Sequence, residues 1–137
     1  MLTVGDTMLS AGSGLVIDLD PTNGENDVLN VKGTVALNGA DLVLDLLSAP
    51  TRGEAFDILT NDGSDPISGQ FSEGDNVVGM FDGHTYGFHI DYDFNADGGA
   101  VGNDIRLTAV PEPATWLLMG LGGLIVLGAR PLRRATA

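Results

Sequence analysis

The chain contains no cysteine and is poor in basic and aromatic residues. Among its 137 residues there are 6 Lys and Arg, and aromatic residues make up 6%. The absence of cysteine excludes a disulfide scaffold, thiol catalysis and a Cys-ligated zinc or iron–sulfur site. With 19 Asp and Glu, the formal net charge is −13. Such a chain is unsuited to nucleic acid, because that binding depends on Lys and Arg neutralising phosphates.

The charge is divided unevenly along the chain. All the acidic residues lie at or before Glu112, and residues 1–113 carry a net charge of −16. The remaining residues carry +3, from Arg130, Arg133 and Arg134. The sequence therefore predicts an acidic body followed by a short basic end, and the length suits one folded domain.

Residues 114–129 form a run of sixteen residues without charge. As a helix this run would measure about 24 Å, which is somewhat short of a hydrocarbon core of about 30 Å. Snorkelling by the following arginines would make up part of the deficit. We predict a transmembrane helix here; the alternative is a buried helix of a soluble domain. The anchoring residues are Trp116, Leu117, Leu118, Leu121, Leu124, Ile125, Val126 and Leu127.

The arginines at positions 130, 133 and 134 set the predicted topology. By the positive-inside rule they remain cytoplasmic, which places the acidic body across the membrane. The linker before the helix is Val110-Pro111-Glu112-Pro113, whose two prolines exclude a regular helix or strand. The predicted organisation is a β domain over residues 1–109, a linker over 110–113, a helix over 114–129 and a cytoplasmic tail over 130–137.

The order of Pro111-Glu112-Pro113, an apolar run and a basic C-terminal end resembles a PEP-CTERM sorting signal. The resemblance covers roughly the last 27 residues. It implies an exported protein of a Gram-negative bacterium, which passes through the inner membrane and is processed near the motif by an exosortase. The resemblance further implies delivery to the cell surface or to an exopolysaccharide matrix. The alternative is a plain C-terminal membrane anchor.

The N-terminus lacks the basic start and the apolar stretch of an export signal. We therefore expect Met1 not to be the natural start and the chain to be the C-terminal part of a longer protein. The alternatives are a tail-anchored protein inserted after translation and a degenerate gene.

The body reads as about eight short strands separated by polar turns, with no helical periodicity. Leu29, Val31, Val35 and Leu37 are expected to share one apolar face, and Asp82-Gly83 is expected to form a two-residue hairpin turn. This pattern predicts an all-β fold, either a β-sandwich or the end of a β-helix or solenoid. No fixed-period repeat is visible. Residues 29–40 and 102–108 also resemble C-terminal segments of autotransporter-like β-helical passenger proteins.

The spacing of Asp93, Asn95, Asp97 and Asp104 formally fits a calcium-binding loop, and Asp91 could join it. Position twelve is Asp rather than Glu, however, and the flanks read as strands. The alternative is a Gly-rich β-turn whose side chains cap local amides. We predict no cofactor, with Ca²⁺ as the possible exception. Residues 24–27 form a second, weaker calcium candidate.

No nucleophile elbow or phosphate-binding loop is present in the sequence. His84 and His89 are five positions apart, so a single strand would place them on opposite faces. Asp91 and Asp93 share a strand face, but glycosidase chemistry would also need a cleft. The chain is predicted not to be an enzyme. Two alternatives stay open: a calcium-dependent binding or adhesion module, and the terminal fragment of a polysaccharide-active enzyme.

Overall fold

A computed structural model describes residues 1–96 and 102–111, and this part of the chain is all-β with no helix. The prediction of an all-β body is confirmed. The strands are β1 (Leu2–Val4), β2 (Thr7–Met8), β3 (Gly14–Asp20), β4 (Glu25–Asn26), β5 (Leu29–Val31), β6 (Val35–Ala36), β7 (Asp41–Leu46), β8 (Ala55–Asn61), β9 (Ile67–Ser68), β10 (Asn76–Phe81), β11 (His84–Phe94) and β12 (Asp104–Ala109).

Three successive turns of chain stack on one another in parallel. One side of the stack is formed by β1, β5 and β8, a second by β2, β6 and β9, and a third by β3, β7 and β10. Each turn contributes one strand to each side. Parallel strands that recur once per turn define a short β-solenoid, so the solenoid alternative describes the body and the sandwich does not.

The register explains why the sequence shows no fixed repeat. Leu2 lies opposite Leu29, 27 positions later, and Leu29 lies opposite Leu59, 30 positions later. On the third side, Leu44 lies opposite Gly79, which is 35 positions further along. Because the second step is longer and varies from side to side, the repeat exists in space without a constant period in sequence.

Strands β11 and β12 close the C-terminal end of the stack. β11 pairs antiparallel with β10, β12 pairs antiparallel with β11, and β12 also pairs antiparallel with β8. Both outer strands of the third turn are therefore paired. The turn from β10 to β11 is the predicted Asp82-Gly83 hairpin, in which both residues have positive φ, 51° and 77°.

One predicted apolar face is divided between two sides of the solenoid. Leu29 and Val31 lie on β5, whereas Val35 lies on β6 in the other sheet. The chain bends at Gly33, whose φ is 153° and where a Cβ would stand 2.1 Å from Asp6 Oδ1. Asp6 Oδ1 accepts a hydrogen bond from Thr34 N–H at 2.9 Å. The apolar side chains stay buried because both sides face the same core.

Inward-facing side chains fill a single core. On β7, exposed and buried residues alternate along the whole strand, as the period-two pattern predicts. The buried apolar residues are Ile17, Leu19, Leu29, Val31, Val35, Leu37, Ala40, Leu42, Leu44, Leu46, Phe56, Ile58, Leu59, Phe71, Val77, Phe88, Ile90, Ile105, Leu107 and Ala109. Phe56 and Phe88 meet edge to face, with ring centroids 6.3 Å apart.

The predicted C-terminal helix over residues 114–129 and the tail over 130–137 lie outside the described residues. Within residues 1–96 and 102–111, no helix long and apolar enough to cross a membrane is found.

Candidate functional site

The point at which the chain leaves the body is held firmly by the sheet. Ala109, the last residue of β12, is 4% exposed. Its N–H donates to the carbonyl of Glu54, and its carbonyl accepts from Gly53 N–H, both at 2.8 Å. Val110 N–H donates to the carbonyl of Gly87 on β11 at 3.0 Å. The body is thus hydrogen-bonded up to the residue before Pro111.

Pro111 is half-buried beside a small apolar cleft of about 160 Å³. The cleft is lined by Asn76, Val77, Val78, Gly87, Phe88, Val110 and Pro111. Of the predicted sorting motif, Pro111 is described, whereas Glu112 and Pro113 lie outside the described residues. The same holds for the anchoring residues 116–127 and for Arg130, Arg133 and Arg134. The first proline therefore comes one residue after the last sheet hydrogen bond seen for the body.

The residues of the predicted calcium loop are only partly brought together. Asp93 is exposed on β11, and its N–H donates to Asp91 Oδ1 at 2.9 Å. Asp104 is fully buried at the start of β12, and Asn95 follows β11 directly. Asp97 lies outside the described residues. Within the described part of the chain, no group of three or more His, Cys, Asp or Glu side chains could hold a metal ion.

Both carboxylate oxygens of Asp104 bind backbone amides. Oδ1 accepts from Asn61 N–H and Oδ2 accepts from Ala96 N–H, each at 2.8 Å. The side chain therefore ties the end of β8 and the residue after β11 to the start of β12. Because Asn61 and Asp104 are 43 positions apart in sequence, this carboxylate links separate strands.

Two buried asparagines extend this cluster, and the sequence reasoning missed both. Asn61 Nδ2 donates to the carbonyl of Asp65 at 3.1 Å, and Asn103 Nδ2 donates to the carbonyl of Gly63 at 3.0 Å. Asn61 and Asn103 are 3% and 2% exposed. Asn61 Oδ1 is buried and accepts no hydrogen bond in the part of the chain that the structure describes. The alternation of side-chain directions along β8 could have indicated the burial of Asn61, because Asn61 lies two positions after the buried Leu59 and faces the same side.

The weaker calcium candidate, residues 24–27, borders an acidic cleft of about 210 Å³. Its polar groups hold the fold together: Asp27 Oδ2 accepts from Asp18 N–H at 3.0 Å, and Asn26 Nδ2 donates to the carbonyl of Asp57 at 2.8 Å. Hydrogen bonds from Asn23 and from Ser48 lower the pKa of the neighbouring Asp20. The contacts of Asn26 and Asp27 tie this segment to β8 and β3.

The remaining polar candidates lie on the outer surface. His84 and His89 are both exposed on β11. The outward-facing Arg106 pairs with Asp57, with Nε 2.6 Å from Oδ1, and its guanidinium lies 3.7 Å from the Phe94 ring centroid. The hydrogen bond to Asp57 raises the pKa of Arg106. This ion pair links β12 to β8 on the surface of the sheet.

The family model described as the PEP-CTERM protein-sorting motif matches residues 109–134. The chain carries a PEP-CTERM sorting motif. The match begins at the last residue of β12 and extends over the linker, the apolar run and the three arginines. The motif indicates exosortase-dependent sorting of an exported protein. No curated protein and no solved structure matches the chain, and the resemblance of the body to autotransporter-like passenger proteins finds no support.

Proposed function

We propose that the protein is a non-catalytic structural component of the bacterial surface or extracellular matrix, delivered there through its PEP-CTERM motif. In this proposal residues 114–129 insert into the inner membrane as a helix. Arg130, Arg133 and Arg134 hold the C-terminus in the cytoplasm. Pro111-Glu112-Pro113 is the segment presented to the exosortase, and the solenoid is the part displayed after release.

The observation that carries this proposal is that the motif begins directly after the last hydrogen-bonded residue of the folded body. Val110 N–H is bonded to the carbonyl of Gly87, and Pro111 follows immediately. A proline lacks an N–H and cannot extend the sheet in the same way. The motif therefore starts where the sheet ends, so the processing enzyme can act beside the folded domain without unfolding it.

The composition of the body supports a displayed structural role. The net charge of −16 over residues 1–113 provides mutual repulsion that keeps a released domain soluble. Carboxylates such as those of Asp104 and Asp27 accept hydrogen bonds from backbone amides and hold them in place. We propose on these grounds that the body scaffolds a surface and carries out no chemistry. Contact with exopolysaccharide is part of the same proposal.

The test is the intact mass, with both termini, of the protein recovered from native cells and medium. The expected result is full-length protein in the membrane fraction and a released form whose C-terminus lies near residues 111–113. A Glu112→Ala variant should accumulate in the membrane fraction at full length. Asp65→Ala, which removes an exposed carboxylate from the body, should be released like the unmodified protein. An intact Ala137 in all fractions would contradict processing and leave a plain anchor.

A further inference from the structure

A row of exposed valines crosses the outer surface of the third side of the solenoid. Val16 on β3 lies opposite Val43 on β7. The parallel register of β7 with β10 places Val43 beside Val78. Exposed and buried residues alternate along β7 and β10, so these valines point away from the core. Val16, Val43 and Val78 are 58%, 47% and 54% exposed. Three successive turns of chain thus contribute one outward valine each to the same row.

The row continues over the two closing strands to the point where the chain leaves the body. Val78 lies opposite Gly87 on β11, and the carbonyl of Gly87 accepts from Val110 N–H at 3.0 Å. Gly87 has no side chain to separate the two valines, and both line the apolar cleft of about 160 Å³ beside Pro111. We name this row the exit stripe; it comprises Val16, Val43, Val78, Val110 and Pro111. The exit stripe therefore ends at the first residue of the Pro-Glu-Pro linker.

Carboxylates border the exit stripe along both edges. The outward positions on either side of Val43 along β7 are Asp41 and Asp45, and both are exposed. On β3, the register partner of Asp45 is Asp18. The exit stripe thus has an apolar centre and a charged rim, and an apolar centre within a polar rim is the usual arrangement of a surface that contacts another protein.

The charge of the rim distinguishes the occupants that could cover the exit stripe. A lipid surface with anionic headgroups would bring negative charge against Asp41 and Asp45. A second copy of the chain would bring its own carboxylates, since residues 1–113 carry a net charge of −16. Both approaches are repulsive. A protein surface that is apolar at its centre and basic or uncharged around it fits the exit stripe.

The position of the sorting motif indicates which protein carries such a surface. Val110 is fixed to the sheet by its bond to Gly87, and residues 111–113 span at most about 10 Å when fully extended. An enzyme that binds this linker therefore lies within contact distance of the surface around Pro111. The exit stripe crosses four strand spacings from β12 to β3, a length of about 19 Å. It continues the surface that a processing enzyme would touch first.

We propose that the exit stripe is a docking surface for the exosortase, which contacts the folded body as well as the linear motif. This inference rests on the processing proposed above and adds a second point of recognition to it. The fitting surface of the enzyme is apolar at its centre and basic or uncharged opposite Asp41 and Asp45. Val43 and Val78 are 35 positions apart in sequence and meet only in the stacked solenoid. Docking therefore favours release of the folded protein.

The test is a pulse–chase measurement, in native cells, of the conversion of full-length protein into the released form. The Val43→Thr/Val78→Thr variant replaces two contacting methyl groups with hydroxyls and keeps β-branched side chains. Conversion should slow by about fivefold or more, because burying a hydroxyl without a partner is unfavourable. Leu47→Thr is the matched control and should be converted at the unmodified rate. Leu47 is 53% exposed and follows β7, beyond Asp45 and outside the exit stripe.

A spacer distinguishes docking from an effect on folding. About twelve Gly and Ser residues inserted between Val110 and Pro111 form a flexible link that no longer holds the motif beside the exit stripe. The spacer should slow conversion of the otherwise unmodified protein. With the spacer present, Val43→Thr/Val78→Thr should cause no further slowing. A difference that persists with the spacer would mean that the valines act on folding or export, and would overturn the proposal.

Photo-cross-linking identifies the occupant of the exit stripe. A photoreactive amino acid in place of Val78 should form an adduct with the exosortase in cells, and one in place of Leu47 should not. Adducts at position 78 with lipid alone, or with a second copy of the chain, would overturn the proposal. Equal conversion rates of Val43→Thr/Val78→Thr and the unmodified protein would also overturn it, while processing itself would stand. An unmodified protein that is never converted would contradict the processing as well.

Discussion

At the C-terminal end of the solenoid, β11 and β12 pair with both long outer strands of the last turn, whereas at the N-terminal end β1 and β2 each pair on one side within residues 1–96 and 102–111. The core-facing Phe88 and Leu107 at the closed end are fully buried, but Leu2 at the open end is 63% exposed. The same ladder of apolar positions is therefore buried at one end of the described body and exposed at the other. Antiparallel strands of the same chain make the difference.

The largest expected effect is the contrast between Phe88→Ala and Leu2→Ala. Phe88 is fully buried and meets Phe56 edge to face, so its truncation should lower the free energy of unfolding by about 3–5 kcal/mol. Leu2→Ala should cost less than about 1 kcal/mol, since the side chain is mostly exposed. Urea unfolding of both variants measures the contrast. Equal losses would mean that the N-terminal end is covered in solution.

Asp104→Ala should give the next largest loss of stability. The free energy of unfolding should fall by about 2–4 kcal/mol, because two backbone amides lose their acceptor in a buried site. Asp93→Ala is the matched control, an exposed carboxylate of the same candidate calcium loop, and should change stability by less than about 0.5 kcal/mol. Urea denaturation without added calcium distinguishes the two. A large loss from Asp93→Ala would show that the exposed carboxylate also supports the closed end.

The Tyr92 hydroxyl stabilises the loop beside the closed end. Removing the hydroxyl with Tyr92→Phe should lower the free energy of unfolding by about 1 kcal/mol. Its hydroxyl donates to the carbonyl of Gly74 at 2.5 Å and accepts from Phe71 N–H at 3.2 Å. Burial raises the pKa of Tyr92. The pKa of Tyr92 in the folded protein therefore lies above its value in the unfolded chain, which is about 10. The stabilisation by the neutral hydroxyl is fully present below about pH 10 and is lost as the pH rises through the folded pKa.

The unmodified protein should therefore lose stability above about pH 10 more steeply than Tyr92→Phe does. Thermal unfolding across the alkaline range measures the two slopes. Identical slopes would mean that the Tyr92 hydroxyl titrates as it does in the unfolded chain.

The smallest expected effect is that of calcium on the closed end. A site with a dissociation constant one hundredth of the added calcium concentration would stabilise the fold by about 2.7 kcal/mol, a shift of several degrees in Tm. Because Asp104 already binds two amides, we expect about 1 mM calcium to shift Tm by less than about 1 °C. A larger shift that disappears in the Asp93→Ala/Asp97→Ala double variant would establish the calcium site.

Several features of the body followed from local sequence. The run of short alternating segments predicted an all-β body, and Asp82-Gly83 predicted the β10–β11 turn. Both depend on backbone geometry within a few residues, which a sequence pattern reports directly. The same holds for the sorting motif, whose linker, apolar run and arginines are contiguous and match the family model at residues 109–134.

The pairing of strands across turns required the tertiary structure. Parallel partners such as Leu29 and Leu59 are 30 positions apart, and the interval changes from side to side, so no local pattern encodes it. The division of Leu29 and Val35 between two sheets, and the burial of Asn61 and Asp104, follow from that stacking. Local sequence determined which apolar positions of a strand face inward and where the sorting motif lies. Contacts between distant turns decided which strands meet, which end is closed and which amides a buried carboxylate binds.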